Sequence, residues 1–459
     1  MTNVATSTSA HIDDIAVVDA GAIAERATSY WDSRPMQGRR LFQPTSSDEV
    51  AAVLAWCHAN NQTVVTHGGL TGCASGADAS ADDVILSTEK MNRIVEIDAV
   101  GATAVVEAGA TLQAVQETVA EHGFRFPLDL GARGSCTIGG NIATNAGGMN
   151  VIRYGMMRQL VLGLEAVLVD GTVVSSLNRM LKNNAGYDLK QLFIGTEGTL
   201  GVVTKAVLRL FPQPTSRQDA LVALTDFEAV TELLQRLQKE LGGQLSAFEI
   251  MWGDYFAAVT GDGGHRAPLA REYPYYVAIQ SEGSEPATDT ARFESVLMAA
   301  LEDSVIVDAV IPKSDTEVQA IWAVREQFDA VLEPQPVYLY DVSLPIRDMD
   351  DYVQQVKANV AERWSNGQVY AIGHVADGNL HFFVAPNQRG DFHADSDRCV
   401  YEPLAPLTGS VSAEHGIGLE KVAWLSASRT AAEIELMRRL KRSFDPKNLL
   451  NPGRVVSID

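Results

Sequence analysis

Cysteine is scarce. The 459 residues hold four, at Cys57, Cys73, Cys136 and Cys399, with no CxxC spacing among them. That excludes a disulfide scaffold and any iron–sulfur cluster held by this chain, and it leads us to expect a reducing, cytoplasmic compartment. Long apolar runs are also missing. The longest candidate, LVLGLEAVLV, is interrupted by Glu165, well short of the ~18 residues a transmembrane helix needs. The start, MTNVATSTSAHIDD, has neither a basic stretch nor an apolar core, so no secretory signal is expected. Positive charge is in deficit, 36 basic against 58 acidic residues, for a formal net charge of −22. Such a surface repels phosphate backbones and anionic lipid, which argues against nucleic acid or direct membrane binding. A small anionic substrate stays open, because a local basic pocket can override the global field.

What is present is ordinary for a globular chain: 46% hydrophobic and 20% charged residues. Disordered, collagen-like and mucin-like classes are excluded, and the length suggests two or three domains at ~150 residues each. Residues 1–12 read as a polar, flexible tail. SSDEVAAVLAWCHANN reads as a helix. Ser46 and Glu49 form a capping-box pattern there, and Val50, Val53, Leu54 and Cys57 share one face. TVVTH, VILST, ATAVVEAG, EAVLVDGTVV and GVVTKAVLRLF read as short strands separated by turns. Character changes at Phe211-Pro212-Gln213-Pro214. DFEAVTELLQRLQKEL and RDMDDYVQQVKANVAERW then read as amphipathic helices beside strands such as YYVAIQ. This suggests an antiparallel sheet backed by helices. We therefore expect an α+β fold with boundaries at 13–214, 215–400 and 401–459, the last containing the helix AAEIELMRRLKR.

Glycine concentrates in three segments: THGGLTGCASGA, PLDLGARGSCTIGGNIATNAGG and GTEGTLGVV. Glycine lets backbone N–H groups approach a ligand closely, and successive N–H groups make an anion nest suited to a pyrophosphate. None is a GxGxxG or a GxxxxGK[ST], so Rossmann and P-loop readings fail on residue type. The alternative, tight turns and nothing more, weakens with three such segments interleaved with Asn141, Thr144, Asn145 and Thr196.

A second constellation lies in GHVADGNLHFFV. Placing Asp377-Gly378 at a two-residue type I′ turn sets His374 directly opposite His381 on one sheet face, with Cβ atoms ~5 Å apart. Such a pair can grip a divalent ion or simply stack in a core. Glu414 in SAEHGIG is a third ligand candidate, unless that loop is merely solvated, and His415 stands beside it. Two histidines and one carboxylate with an open position suit a catalytic Zn²⁺ or a similar transition ion.

Taken together, HGGLTG, PLDLGARGSCTIGGNIATNAGG, RYGMMRQLVLGLEAVLVDGT, NNAGYDLKQLFIGTEGTLG and SAEHGIG resemble the FAD-dependent D-2-hydroxy acid dehydrogenases of the vanillyl-alcohol oxidase superfamily. The D-2-hydroxyglutarate dehydrogenases are the nearest branch, and the resemblance runs from about Arg40 to Arg454. It implies a two-part FAD-binding domain, a substrate (cap) domain with an antiparallel sheet and a C-terminal helical segment. It implies FAD contacts at His67, Gly68, Gly69, Leu70, Thr71 and Gly72. Further contacts are implied at Pro127, Asp129, Gly134, Ser135, Ile138, Gly139, Asn141, Thr144, Asn145, Gly148, Val203 and Asn451. Some superfamily members tether the flavin through a histidine at the position of Leu70, so the FAD is expected to be non-covalent. In metal-containing members the GHxxDGNLH and AEHG motifs supply the ligands, matching His374, His381 and Glu414. The resemblance also assigns Arg325 to the substrate carboxylate. His415 is expected to be the catalytic base and a substrate contact, because an imidazole suits general-base work near neutral pH. The resemblance implies a small D-2-hydroxy acid as substrate and an external electron acceptor, an electron-transferring flavoprotein or a quinone-linked partner. It allows a homodimer.

Three substrate-side positions depart from that branch's polar pattern. Asp329 stands where Thr is usual, Leu339 where Lys is usual and Phe383 where Asn is usual. A D-2-hydroxy monocarboxylate, D-lactate or a bulkier apolar or aromatic analogue, therefore competes with D-2-hydroxyglutarate and D-malate, which remain open if Asp329 faces away. Readings from other classes are a flavin alcohol or sugar oxidase that needs no metal and a non-catalytic FAD subunit. The metal hairpin argues against the first and the retention of His415 against the second.

Overall fold

The structure is a computed structural model that describes residues 11–18, 20–26, 34–261, 264–326, 328–333 and 335–458; most of the expected tail, residues 1–10, lies outside them. The chain divides into two units. One comprises the chain up to Ala146 with Met156–Gln213 and His415–Asp459, and the other Gly147–Gly155 with Pro214–Glu414. The C-terminal segment, expected from 401 and expected to return to the FAD-binding part, changes unit between Glu414 and His415.

In the first unit, Val17–Val18, Arg40–Phe42, Val84–Ser87 and Val64–His67 form a four-stranded sheet in that order, the last three parallel. The helix Ser47–Ala59 begins where Ser46 accepts the Glu49 N–H at 3.2 Å. The expected capping box closes only halfway, because the Glu49 carboxylate takes the Thr45 N–H at 2.7 Å instead. Val50, Val53, Leu54 and Cys57 pack against Val64, Val84 and Leu86, which fixes the helix on the sheet. A second, antiparallel sheet runs Ile94–Asp98, Thr103–Glu107, Val202–Arg209, Val161–Val167, Val173–Ser176. The run EAVLVDGTVV is therefore two paired strands, reversing where Asp170 Oδ1 accepts the Thr172 N–H at 2.9 Å.

The second unit is built on a seven-stranded antiparallel sheet. Its order is Asp308–Val310, Ser216–Leu224, Tyr275–Gly283, Leu245–Trp252, Gln368–His374, Asn379–Ala385, Tyr338–Ser343. The helix Phe227–Glu240 is capped by Asp226 and buries Val230, Leu233, Leu234 and Leu237. Pro286–Glu302 and Met349–Arg363 also pack on the sheet. Leu221, Met251, Ile372 and Phe383 of the sheet join Tyr255, Phe256, Ile321 and Trp322 in one apolar cluster, and the site described next borders it.

Candidate functional site

The histidine hairpin forms with a different register from the one expected. His374 pairs with Asn379 and Ile372 with His381. Asp377-Gly378 is not a two-residue turn tip: Val375–Asp377 makes a 3₁₀ turn that ends at Gly378 with φ +88°, a conformation glycine adopts without strain. Asn379 belongs to the ladder, its amide donating to Asp341 Oδ1 at 2.8 Å and Val342 O at 2.9 Å. The slip is two residues. Side chains alternate with a period of two, so an even slip leaves both histidines on one face. Their ring centroids lie 5.3 Å apart, edge to face.

Glu414 reaches this face by a separate route. Ser410 exchanges two backbone hydrogen bonds with Ser343 at 2.7 and 3.0 Å, laying its segment along the sheet edge. Asp341, wholly buried, then holds the segment: its Oδ2 accepts the Ala413 N–H at 3.0 Å and the Glu414 N–H at 2.8 Å. Glu414 Oε1 accepts the Gly148 N–H at 2.6 Å. The result brings together the three ligands the sequence suggested. Ligand atoms of His374, His381 and Glu414 all lie within 4.8 Å of one another.

Sequence reasoning missed Glu249. It is 1% exposed, on the strand Leu245–Trp252 and directly opposite His374. Its Oε1 lies 2.6 Å from His374 Nδ1 and its Oε2 lies 2.9 Å from Arg325 Nη2. Burial pushes the Glu249 carboxyl up, but His374 and Arg325 together hold it below the usual range. Burial likewise pushes His374 down, and the charge and hydrogen bond of Glu249 with the charge of Glu414 raise it to about 9. Glu249 occupies Nδ1 of His374 and leaves Nε2 for an ion; Asp341 Oδ1 stands 3.8 Å from His381 Nδ1. A carboxylate hydrogen-bonded behind an imidazole, as Glu249 is to His374, is the arrangement that orients a metal ligand. A glutamate inside an apolar strand was the available signal, and it needed the register to be read.

The glycine-rich segments of the first unit converge. A Cβ on Gly68 would lie 2.6 Å from Thr137 Oγ1, and one on Gly69 would collide with Ser135 O, so the first segment seats on the second only as glycine. Asn451 ties in the third. Its Oδ1 accepts the Thr66 N–H at 2.8 Å, and its Nδ2 donates to Thr66 Oγ1 at 2.8 Å and Glu197 O at 2.6 Å. Leu70 turns with φ +56° and packs its side chain towards Ile23, Met36, Leu41 and Ile85. A Cβ on Gly72 would meet nothing within 4 Å, so backbone there faces open space. His67 is 1% exposed, with Nε2 2.9 Å from Ala77 O and Nδ1 buried without a hydrogen-bond partner. Burial drives its pKa down to about 3, so the ring is neutral and Nδ1 offers a lone pair. Exposed backbone beside a left-handed turn and an orphaned acceptor suit a nucleotide cofactor.

Comparison with known proteins decides the family. The FAD binding domain family matches residues 39–176, and the C-terminal domain of FAD linked oxidases matches residues 213–455. D-2-hydroxyglutarate dehydrogenase of Bos taurus, a mitochondrial protein by name, is 40% identical over 418 residues, covering 91% of this chain and 76% of that one. The D-2-hydroxyglutarate dehydrogenase of Xanthomonas citri pv. viticola is 37% identical over 434 residues, covering 93% and 90%. The chain belongs to the FAD-dependent D-2-hydroxy acid dehydrogenase family. Its fold is of the vanillyl-alcohol oxidase type, as solved structures show. p-Cresol methylhydroxylase with substrate bound aligns at TM-score 0.76 and 17% identity, over 96% of this chain and 94% of that one. 4-Ethylphenol oxidase from Gulosibacter chungangensis aligns at TM-score 0.73 and 17% identity, over 95% and 93%.

The remaining expected residues of the dehydrogenase fall into groups. Pro127, Ile138, Asn141 and Val203 are buried; Asp129 pairs with Arg133 at 3.2 Å. Gly134, Ser135 and Gly139 lie in the second segment, where the Gly139 N–H donates to Ala108 O at 2.7 Å. Thr144 Oγ1 donates to Gly140 O at 3.2 Å, and Asn145 Oδ1 accepts the Arg158 N–H at 2.9 Å. Thr71 is half-buried beside Gly72. Gly148 belongs to the second unit and donates its N–H to Glu414 Oε1 at 2.6 Å. On the substrate side, Arg325 joins the cluster through Glu249. Leu339 and Phe383 face each other across paired strands. Asp329 is exposed at the start of a 3₁₀ turn. No helix of the described residues is long and apolar enough to cross a membrane.

Proposed function

We propose that this FAD-dependent dehydrogenase oxidises a D-2-hydroxy acid to the 2-oxo acid, with a divalent ion, zinc by its donor set, at His374, His381 and Glu414. The observation that carries the proposal is the convergence of those three side chains, two of them backed by Glu249 and Asp341. Bound FAD would supply the two-electron redox chemistry of the oxidation. The ion supplies positive charge that lowers the pKa of a hydroxyl and favours an adjacent carboxylate. The chain's own residues do the rest. Arg325 is 7% exposed and keeps its Nε buried without a partner, a donor left for the substrate's C1 carboxylate. Glu249 holds both Arg325 and His374 in orientation. His415, next to Glu414 in the chain, removes the hydroxyl proton, a task suited to an imidazole at neutral pH. His415→Asn should lower kcat by about 10²- to 10⁴-fold, the usual worth of a positioned base. Full turnover in that variant would remove His415 from the mechanism.

The FAD is non-covalent on this reading, because Leu70 stands where a tether would be and its side chain packs inward. Acid precipitation should therefore release the flavin to the supernatant; colour left in the pellet would refute it. Electrons leave for an electron-transferring flavoprotein or a quinone-linked partner. The four cysteines form no disulfide, which supports a reducing, cytoplasmic setting, although the bovine relative is named mitochondrial. A homodimer accords with this scheme.

A further inference from the structure

The sheet face that bears the proposed ligands continues into an apolar row, and its composition bears on the substrate's side chain. Register places residues of adjacent strands in successive rows on this face. Glu249, His374 and Asn379 form the first row, and Ile372, His381 and Asp341 the second. The third row is Tyr370, Phe383 and Leu339. It begins one residue pair, ~7 Å, beyond His381. Phe383 meets Phe328 at a tilt, centroids 5.1 Å apart, and stacks with Tyr255 at 6.2 Å, so aromatic packing holds the row. Leu339 and Tyr370 are half-buried members of it. The row itself holds no charged residue. Glu249 and Asp341 in the neighbouring rows are buried carboxylates, and Arg325 Nη2 lies against Glu249 at 2.9 Å.

We infer that the substituent on the substrate's C2 is apolar, so that the enzyme prefers D-2-hydroxy monocarboxylates with branched aliphatic or aromatic side chains to 2-hydroxy dicarboxylates. This rests on the hydroxy-acid reading above. With the hydroxyl and C1 carboxylate at the first two rows and Arg325, the substituent extends along the third. An apolar substituent gains by leaving water, about fourfold in kcat/KM for each methylene it buries. A second carboxylate there loses its hydration and finds no cation in the row to replace it.

The test is a series of kcat/KM values with an artificial acceptor, using D-lactate, D-2-hydroxyisocaproate, D-3-phenyllactate, D-malate and D-2-hydroxyglutarate. The expected order has D-2-hydroxyisocaproate or D-3-phenyllactate at least about tenfold above D-lactate, and both dicarboxylates lowest. Leu339→Lys should raise the dicarboxylate-to-monocarboxylate ratio at least about tenfold, and Phe383→Asn should move it the same way. A dicarboxylate ranking above every monocarboxylate overturns the inference. So does a ratio unmoved in both variants while each keeps its flavin. If a flavin-loaded sample turns over no 2-hydroxy acid at all, the reading beneath the inference has failed instead.

Discussion

Chelation should abolish turnover by the purified dehydrogenase while its flavin absorbance stays in place, and Zn²⁺, Mn²⁺ or Co²⁺ should restore part of the activity. His381→Ala should lower kcat on the order of 10²- to 10⁴-fold with FAD content unchanged, since charge stabilisation of several kcal/mol disappears with the ion. The expectation follows from where the ligands come from. His374 and His381 sit on two strands of one hairpin, whereas Glu414 arrives on a segment held by Asp341 and met by the Gly148 N–H. Removing one imidazole leaves that frame standing, so the loss should appear in catalysis rather than in folding. Asp341→Asn should act differently. It keeps an oxygen acceptor but weakens the carboxylate behind His381, and partners of this kind are typically worth 10- to 100-fold in metal affinity. Full activity in a sample verified by elemental analysis to be metal-free would refute the ion's role.

Much of this site could be read in the sequence, for reasons that differ residue by residue. His374, His381 and Glu414 were legible because motif spacing and the Asp-Gly pair together place two histidines on one face. That conclusion survived a register error because the slip was even: a slip of one would have buried one histidine on the opposite face. The turn itself was misread because the Asn379 amide bonds to Asp341 and Val342, strands too distant in sequence for local turn rules to register. Glu249 was illegible for the same reason. In SAFEIMW it looks like a solvent-facing residue of an alternating strand, and only its pairing opposite His374 shows that it is buried. The helices Ser47–Ala59 and Phe227–Glu240 were legible almost to the residue, since cap and apolar stripe are both local signals. Asp329 lies exposed at the start of a 3₁₀ turn, a placement set by the loop after the helix Asp315–Glu326 and carried by no local sequence signal.

Glu249→Leu should destabilise the second unit by about 3–5 kcal/mol, because it strands the guanidinium of Arg325 in a buried setting without its partner. At roughly 2–4 °C per kcal/mol for a unit of this size, the thermal midpoint should fall by about 6–20 °C. Glu249→Gln should cost less, as it retains an oxygen for His374 or for Arg325 though not the charge both require. The pair should be strongly non-additive. Glu249→Leu combined with Arg325→Met replaces two buried charges by apolar groups of similar volume, so much of the lost stability should return. Activity should not return with it, because the double variant has lost its candidate carboxylate anchor and the oriented Nδ1 of His374. Recovered stability without recovered turnover would separate the two duties of Glu249, neutralising Arg325 and orienting His374. A Glu249→Leu variant as stable as the parent would contradict the placement of Arg325 against that carboxylate, and with it the anchor proposed for the substrate.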